Sequence, residues 1–186
     1  MSCRSLAAPV LAKMPMSRIP VLLLFFTTLR CSNEAAAPVQ SDTPTPQFTS
    51  GSGTTSTLLA RAAFQDAFNI KRVSGDWEVE IEAKPALDVA VQRIVFPPES
   101  HSGWHTHPGP VFILVKTGTV TFYEADDPTC TPIVRTAGQG YLDLGEHAHI
   151  ARNEGVVDAE NIVTYLAPPG AQQLRIDAAD PGHCSF

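Results

Sequence analysis

With 186 residues, 44% of them apolar and 17% charged, the chain carries enough core material for one ordinary domain plus a tail, which excludes wholesale disorder. The net charge is −6, and setting aside residues 1–37, which hold four of the 13 basic residues and one of the 19 acidic ones, leaves nine basic against eighteen acidic. A domain this acidic, without a basic cluster, repels phosphate backbones and anionic bilayers, so a nucleic-acid partner is not expected.

In chain order, the first feature is the apolar run Ile19–Leu29, preceded by Lys13 and Arg18. A basic flank followed by an apolar run of this length has the form of a secretory signal. The run falls short of the ~20 residues that span a bilayer, so no transmembrane span is expected in the mature form. Residues 1–37 are therefore read as a signal region, with small residues for cleavage at Ala35-Ala36-Ala37 and Pro38 directly after them. The expected location is exported, periplasmic or extracellular. Cys31 stands where a lipid-anchored cysteine would, although Arg30 precedes it where a lipobox has a small residue. Residues 38–57 are nearly all Pro, Ser, Thr, Gly and Gln and read as a disordered, flexible tether. The folded domain is then expected over residues 58–186.

Leu58 to Ile70 is ambiguous between a short helix, favoured by its alanines, and an edge strand. From there the pattern turns to β. Trp77, Val79 and Ile81 alternate with Glu78, Glu80 and Glu82, which predicts a half-buried strand with an acidic wet face. Leu87 to Phe96 is a strand closed by Pro97-Pro98. Val111–Val115 and Thr119–Glu124 form a predicted hairpin around Gly118, followed by Ile133–Arg135, Tyr141–Leu144, His149–Asn153, Asn161–Ala167 and an edge strand at Gln173–Ile176. Short strands with frequent turns, supplied by 16 Pro and 12 Gly, predict an all-β sandwich or small barrel. Cys130 and Cys184, both in the domain of an exported chain, are expected to form a disulfide; a thiolate metal ligand or a nucleophile is the weaker alternative.

Five of the six histidines fall in two groups, His101, His105 and His107, then His147 and His149. In an extended strand, residues two apart project to one face, so the rings of His105 and His107 can converge on one point. A third imidazole from a neighbouring strand would complete a facial set for a divalent transition metal (Fe, Mn, Ni, Cu or Zn), and His149 is placed to supply it.

At these residues the sequence resembles the cupin superfamily. His105-Thr106-His107 through Gly118 is similar to the first cupin motif, G-x5-H-x-H-x3-E-x6-G, and Gly138 with His149-Ile150-Ala151-Arg152-Asn153 is similar to the second, G-x5-P-x-G-x2-H-x3-N. The phrase Gly103 to Pro110, GWHTHPGP, is similar to that of small single-domain bacterial cupins. The resemblance spans about Trp77 to Ile176. It implies a cupin-type small β-barrel, a jelly-roll-like double sheet, with one divalent metal on His105, His107 and His149, and it selects His149 over His147 by the H-x3-N spacing. Val111 stands where the motif has a metal-binding glutamate, and Leu144 and Glu146 replace its proline and glycine. The resemblance thus implies a three-histidine site with an open position, for which Glu146 or His147 would be the substitute fourth ligand.

Other candidates carry less. Arg93 interrupts a face of valines and either meets an anionic substrate inside the barrel or lies solvated outside it. Tyr123 and Tyr141 either line a pocket or pack in the core. His101 and His183 are expected in solvent. Three functions compete: a small-molecule metalloenzyme, oxygenase- or isomerase-like by cupin analogy; a non-catalytic ligand-binding or sensing module, with or without metal; and a structural role as a homodimer, since cupins often pair through sheet edges.

Overall fold

The computed structural model describes residues 48–186 apart from Pro85. The expected signal, Cys31 and residues 38–47 of the expected tether lie outside the described residues. The described part is all β, with twelve strands: β1 Thr55–Phe64, β2 Phe68–Ser74, β3 Trp77–Ala83, β4 Leu87–Phe96, β5 His105–Thr106, β6 Val111–Thr117, β7 Thr119–Glu124, β8 Ile133–Thr136, β9 Gly140–Asp143, β10 His149–Arg152, β11 Ala159–Ala167 and β12 Ile176–Asp177. No helix among the described residues is long and apolar enough to cross a membrane.

Two five-stranded sheets form the body, one ordered β1-β4-β11-β6-β9 and the other β12-β5-β10-β7-β8. Strands adjacent in sequence therefore often lie in different sheets, as a jelly roll requires. The core between them is built from alternate residues. Val111, Ile113 and Val115 of β6 are buried while Phe112 and Leu114 face outward, and β11 alternates in the same way between β4 and β6. Facing residues from the second sheet, chiefly Val120, Phe122 and Ala151, close the same cluster. Burying a side chain such as Phe122 stabilises the fold by roughly 2–3 kcal/mol.

A second, smaller cluster lies on the other face of the second sheet. Trp104, Tyr123 and Ile150 are buried there beneath Ala178, Cys130 and Cys184. A disulfide joins Cys130 to Cys184, with Cα atoms 5.6 Å apart, and so fastens the C-terminal tail over this face. The ring of Phe186 lies 4.8 Å from that of Tyr123, with the Arg152 guanidinium 4.0 Å above it.

Two segments differ from the sequence-based expectation, and one that it left open between helix and edge strand takes the strand. The ambiguous stretch 58–70 is β, because β1 pairs antiparallel along β4 from Thr55↔Val95 to Phe64↔Leu87; ladder hydrogen bonds and packing override the helix preference of its alanines. Within the expected tether, residues 48–57 lie against the barrel: Phe48 bridges Ala179, Ser52 bridges His101, and β1 starts at Thr55. Their polar side chains and backbone find partners there, as when the Thr49 hydroxyl accepts the Trp104 amide at 2.6 Å. Gly103 makes this approach possible, because it takes φ +71° and a Cβ there would collide with the Thr49 carbonyl oxygen. Finally, β2 and β3 form a separate two-stranded sheet, in register from Phe68↔Ala83 to Ser74↔Trp77. Ile70, Trp77, Val79 and Ile81 share one face, and that face is exposed rather than half-buried.

Candidate metal centre

The site begins with strand pairing. His105 in β5 is the direct antiparallel partner of His149 in β10, which brings the two histidine groups side by side. His107 follows two residues on and returns to the same side. The three ring centroids lie 4.4 to 5.3 Å apart, and one nitrogen from each ring falls within 4.8 Å of the others. All three side chains are buried. The structure thus brings together His105, His107 and His149, and these buried rings can hold one metal ion. His147 is exposed beside Asp126, with Nδ1 3.3 Å from its carboxylate, and Glu146 is exposed as well. Neither expected substitute ligand turns inward.

Hydrogen bonding fixes the tautomers of two rings. Nδ1 of His105 donates to the Gly103 carbonyl at 2.8 Å, and Nδ1 of His107 donates to the Leu174 carbonyl at 2.6 Å. A carbonyl accepts only, so each Nδ1 carries the proton and each Nε2 keeps a free lone pair. Burial holds all three rings below the usual imidazole range, with the neighbouring His107 adding to the effect at His105, whose pKa falls to about 3. The neutral imidazole a metal needs is therefore the favoured form.

Sequence reasoning missed Asp143. This residue ends β9 directly across the ladder from Val111 and is buried. Its Oδ1 accepts the Gly145 amide at 2.8 Å, while Oδ2 lies 3.5 Å from His107 Nε2 and 3.3 Å from His149 Nδ1. Neither Asp143 Oδ2 nor His149 Nδ1 has a hydrogen-bond partner. Such orphaned buried polar atoms are costly in a closed interior, and their position beside the imidazoles fits a cation. Gly145 shapes the turn: it adopts φ +91°, and a Cβ there would sit 2.6 Å from the Gly109 carbonyl oxygen.

Beside the three rings lies a small cavity of about 30 Å³, bordered by Asn161, Val163 and Tyr165. His105 and Tyr165 also border a larger open cavity of about 600 Å³, whose other walls include Leu58, Gln92 and Arg175. Tyr165, absent from the sequence-based candidates, lies edge-on to His107 at 5.4 Å, and its hydroxyl donates to Gln92 at 3.1 Å.

Of the remaining candidates, only Tyr141 borders the site, its ring 6.0 Å from that of His149. Arg93 faces outward and pairs with Glu160 at 2.8 Å, so the valine face it interrupts is the outer one. Glu160 also pairs with Lys116, and these bonds lower its carboxyl to about 2. Tyr123 packs in the second cluster and donates to Glu154 at 2.9 Å; burial pushes its phenol up to about 12. Tyr141 stacks on Phe122 at 4.2 Å and donates to Glu124. His101 is half-buried rather than in solvent, with Nδ1 accepting the Gly103 amide at 3.1 Å. His183 is exposed, its Nε2 3.0 Å from the Asp127 carbonyl.

No protein-family model and no curated protein matches the sequence. Among solved structures, the chain is similar to an uncharacterized conserved protein with a double-stranded β-helix domain from Klebsiella pneumoniae, at 15% identity over 61% of this chain and 84% of that one, with a TM-score of 0.41. It is similar to a cupin superfamily protein from Desulfitobacterium hafniense, at 11% identity over 56% and 81% of the two chains, with a TM-score of 0.39. A DMSP lyase from Ruegeria pomeroyi matches at 15% identity over 47% of this chain and 42% of that one, with a TM-score of 0.41. The strand order of the two sheets, with His105 and His149 paired on neighbouring strands and His107 beside them, makes the described part of this chain a double-sheet, jelly-roll-type β-barrel with three converging histidines.

Proposed function

We propose that the protein is an exported single-domain barrel that binds one divalent transition metal through His105, His107 and His149 and acts on a small molecule admitted through the adjoining cavity. The observation that carries this reading is the convergence of three buried imidazoles, two with their Nδ1 protons tied to backbone carbonyls. Gly103 and Leu174 hold His105 and His107 with Nε2 lone pairs free, and burial keeps the rings unprotonated at neutral pH. Bound there, a divalent ion supplies Lewis-acid chemistry or, for a redox-active metal, electron transfer. Val111 packs in the main apolar cluster and offers no donor to the site. The larger cavity, at about 600 Å³, has the volume of a small-molecule site, and Gln92, Tyr165 and Arg175 offer polar anchors along it. The Arg175 guanidinium already donates to the Ser102 carbonyl at 2.7 Å and pairs with Asp177, so it is pre-positioned.

Export is supported by the basic and apolar order of residues 13–29 and by the Cys130–Cys184 bond, which an oxidising compartment sustains. Mass spectrometry of the protein from its host should show an N-terminus beyond residue 29; an intact Met1 or Met16 in cytoplasmic protein would contradict it. Elemental analysis of protein purified without a histidine tag tests the metal, with about one divalent ion per chain expected. Metal-free protein that takes up none of Mn, Fe, Ni, Cu or Zn would leave only a ligand-binding barrel.

A further inference from the structure

We infer that Cys130, Cys184 and His183 hold a second metal ion when their disulfide is reduced, a site of two thiolates and one imidazole for a thiophilic divalent cation of the zinc class. One ligand atom from each of the three residues lies within 4.8 Å of the others. The cluster stands apart from the buried histidines. Its cysteines pack against Trp104, Tyr123 and Ile150 on the outer face of the second sheet, so the two sets share no ligand.

The fold brings the donors together from two segments. Cys130 sits in the loop between β7 and β8, and Cys184 lies beyond β12, the last strand, with their Cα atoms 5.6 Å apart. A tetrahedral ion with metal–sulfur bonds of about 2.3 Å holds two sulfurs roughly 3.8 Å apart, so the reduced pair must open out of bonding contact to that spacing. Rotation about the two Cα–Cβ bonds supplies the movement, and no strand ladder restrains the backbone of Cys184. His183 is already oriented. Its Nε2 lies 3.0 Å from the Asp127 carbonyl, which only accepts, so Nε2 carries the proton and Nδ1 keeps the free lone pair. The same carbonyl accepts the Cys130 amide at 3.1 Å and so registers the imidazole against that cysteine. The Asp127 carboxylate accepts the amides of Thr129 and Thr131 at 2.9 and 2.8 Å, which fixes the loop on either side of Cys130.

Access and charge fit the chemistry. Both cysteines are half-buried and His183 is exposed, so a small reductant and a cation reach them from solvent. A small-molecule thiol supplies the electrons. Its thiolate attacks one Sγ, the S–S bond breaks, and the other cysteine leaves as a thiolate and takes up a proton. A second thiol attacks the mixed disulfide and departs as the oxidised thiol dimer, which leaves both cysteines as thiols. The cation then displaces their two protons, and two thiolates with a neutral imidazole balance its divalent charge. Three protein donors leave a fourth position to water. The tail is thereby fastened over Trp104 in both redox states, by a covalent bond in one and by an ion in the other.

The test uses the untagged full chain, reduced with dithiothreitol, freed of it without air, and titrated with Co2+. Thiolate bound to Co2+ gives a near-ultraviolet charge-transfer band that imidazole ligands do not produce, so the readout is separate from any ion on His105, His107 and His149. The band should appear in reduced wild type and in reduced His107→Ala, and be absent from the oxidised protein and from reduced Cys184→Ser. Zn2+ should bleach it and return the Trp104 emission, red-shifted by reduction, toward the blue. In His183→Ala the Co2+ affinity read from the band should fall by roughly tenfold or more. No band in reduced wild type, or one that persists in Cys184→Ser, overturns the inference while leaving the three-histidine site standing. Emission that stays red-shifted with the ion bound overturns the fastening of the tail. Should Cys184→Ser fail to fold, His183→Ala, altered at an exposed position, decides: unchanged affinity overturns the three-donor set.

Discussion

The imidazoles of His105 and His107 are each anchored by one carbonyl, while His149 is anchored by none and faces the Asp143 carboxylate. That asymmetry sets how each responds to substitution. Replacing His107 by Ala removes one ligand and should abolish most metal uptake, with the β-rich circular dichroism retained, since the ring contributes to the site and not to the main apolar cluster. The pH dependence of the metal-free fold has a definite sign. Burial lowers the folded-state pKa of all three rings, to about 3 for His105, against roughly 6.5 unfolded. The unfolded chain therefore binds more protons below about 6.5, and stability falls as pH drops from there toward the depressed folded values, remaining flat above it. Carboxylates held low, such as Glu160 at about 2, lose their contribution only below about 4.5, whereas burial raises the Glu124 carboxyl, which takes up its proton more readily in the folded state and offsets part of the histidine effect at the acid end of the window from about 6.5 to 5. Urea midpoints of metal-free protein should fall across that window; a constant midpoint would mean that the rings protonate freely. The histidines were legible in the sequence because residue type and a period of two carry their chemistry. The position of Asp143 beside the rings was not, because it comes from ladder register with Val111, which linear spacing does not encode; Glu146 and His147 stand nearer to His149 in sequence yet face solvent.

Among the elements, the strands β4 and β7 lie where alternation and terminating prolines or glycines place them, Leu87–Phe96 and Thr119–Glu124. The limits of β1 were not legible, because an alanine-rich edge is decided by what lies beside it, here β4. The hairpin β2–β3 shows the converse. Its alternation is clear, but alternation does not say whether a face meets a partner, and Trp77 remains 58% exposed. The asparagine of H-x3-N has a structural role. Asn153 donates to the carbonyls of Phe96 and Val157, each at 2.7 Å, and accepts the Gly155 amide, tying the end of β4 to the turn before β11. Asn153→Ala leaves those buried groups unmatched and should destabilise by about 2–4 kcal/mol in denaturant unfolding, beyond the value of one ordinary hydrogen bond. The tail is a second fastening. The Cys130–Cys184 bond, 54 residues apart, is worth roughly 4 kcal/mol in the chain-entropy model. Cys184→Ser should lower stability by up to that amount and shift Trp104 fluorescence to the red as its cover loosens; unchanged emission would show that the tail does not shield the indole.

In the molecule as a whole, the metal site and the tail act on opposite faces of the same two strands. His105 and His149 point inward from β5 and β10, while their neighbours Trp104 and Ile150 point outward beneath the tail. β5 is only two residues long and is held by β10 on one side and β12 on the other, and β12 leads directly into the tail that Cys184 fastens. Freeing the tail removes part of what holds β5, and so loosens His105 relative to His149. Metal and disulfide are therefore expected to stabilise the barrel cooperatively. Ion at a hundredfold excess over Kd stabilises the native state by about 2.7 kcal/mol, which for a domain of this size raises Tm by roughly 5–10 °C. In Cys184→Ser the Tm without metal should fall, and the further rise on adding the same ion concentration should be smaller than in wild type, because the less organised site binds more weakly. Independent, distant effects would add instead. Calorimetry of both proteins with and without metal separates the two cases: equal metal-induced shifts would show that the tail and the site are uncoupled, and a larger shift in the variant would mean that the disulfide holds the rings out of their binding geometry.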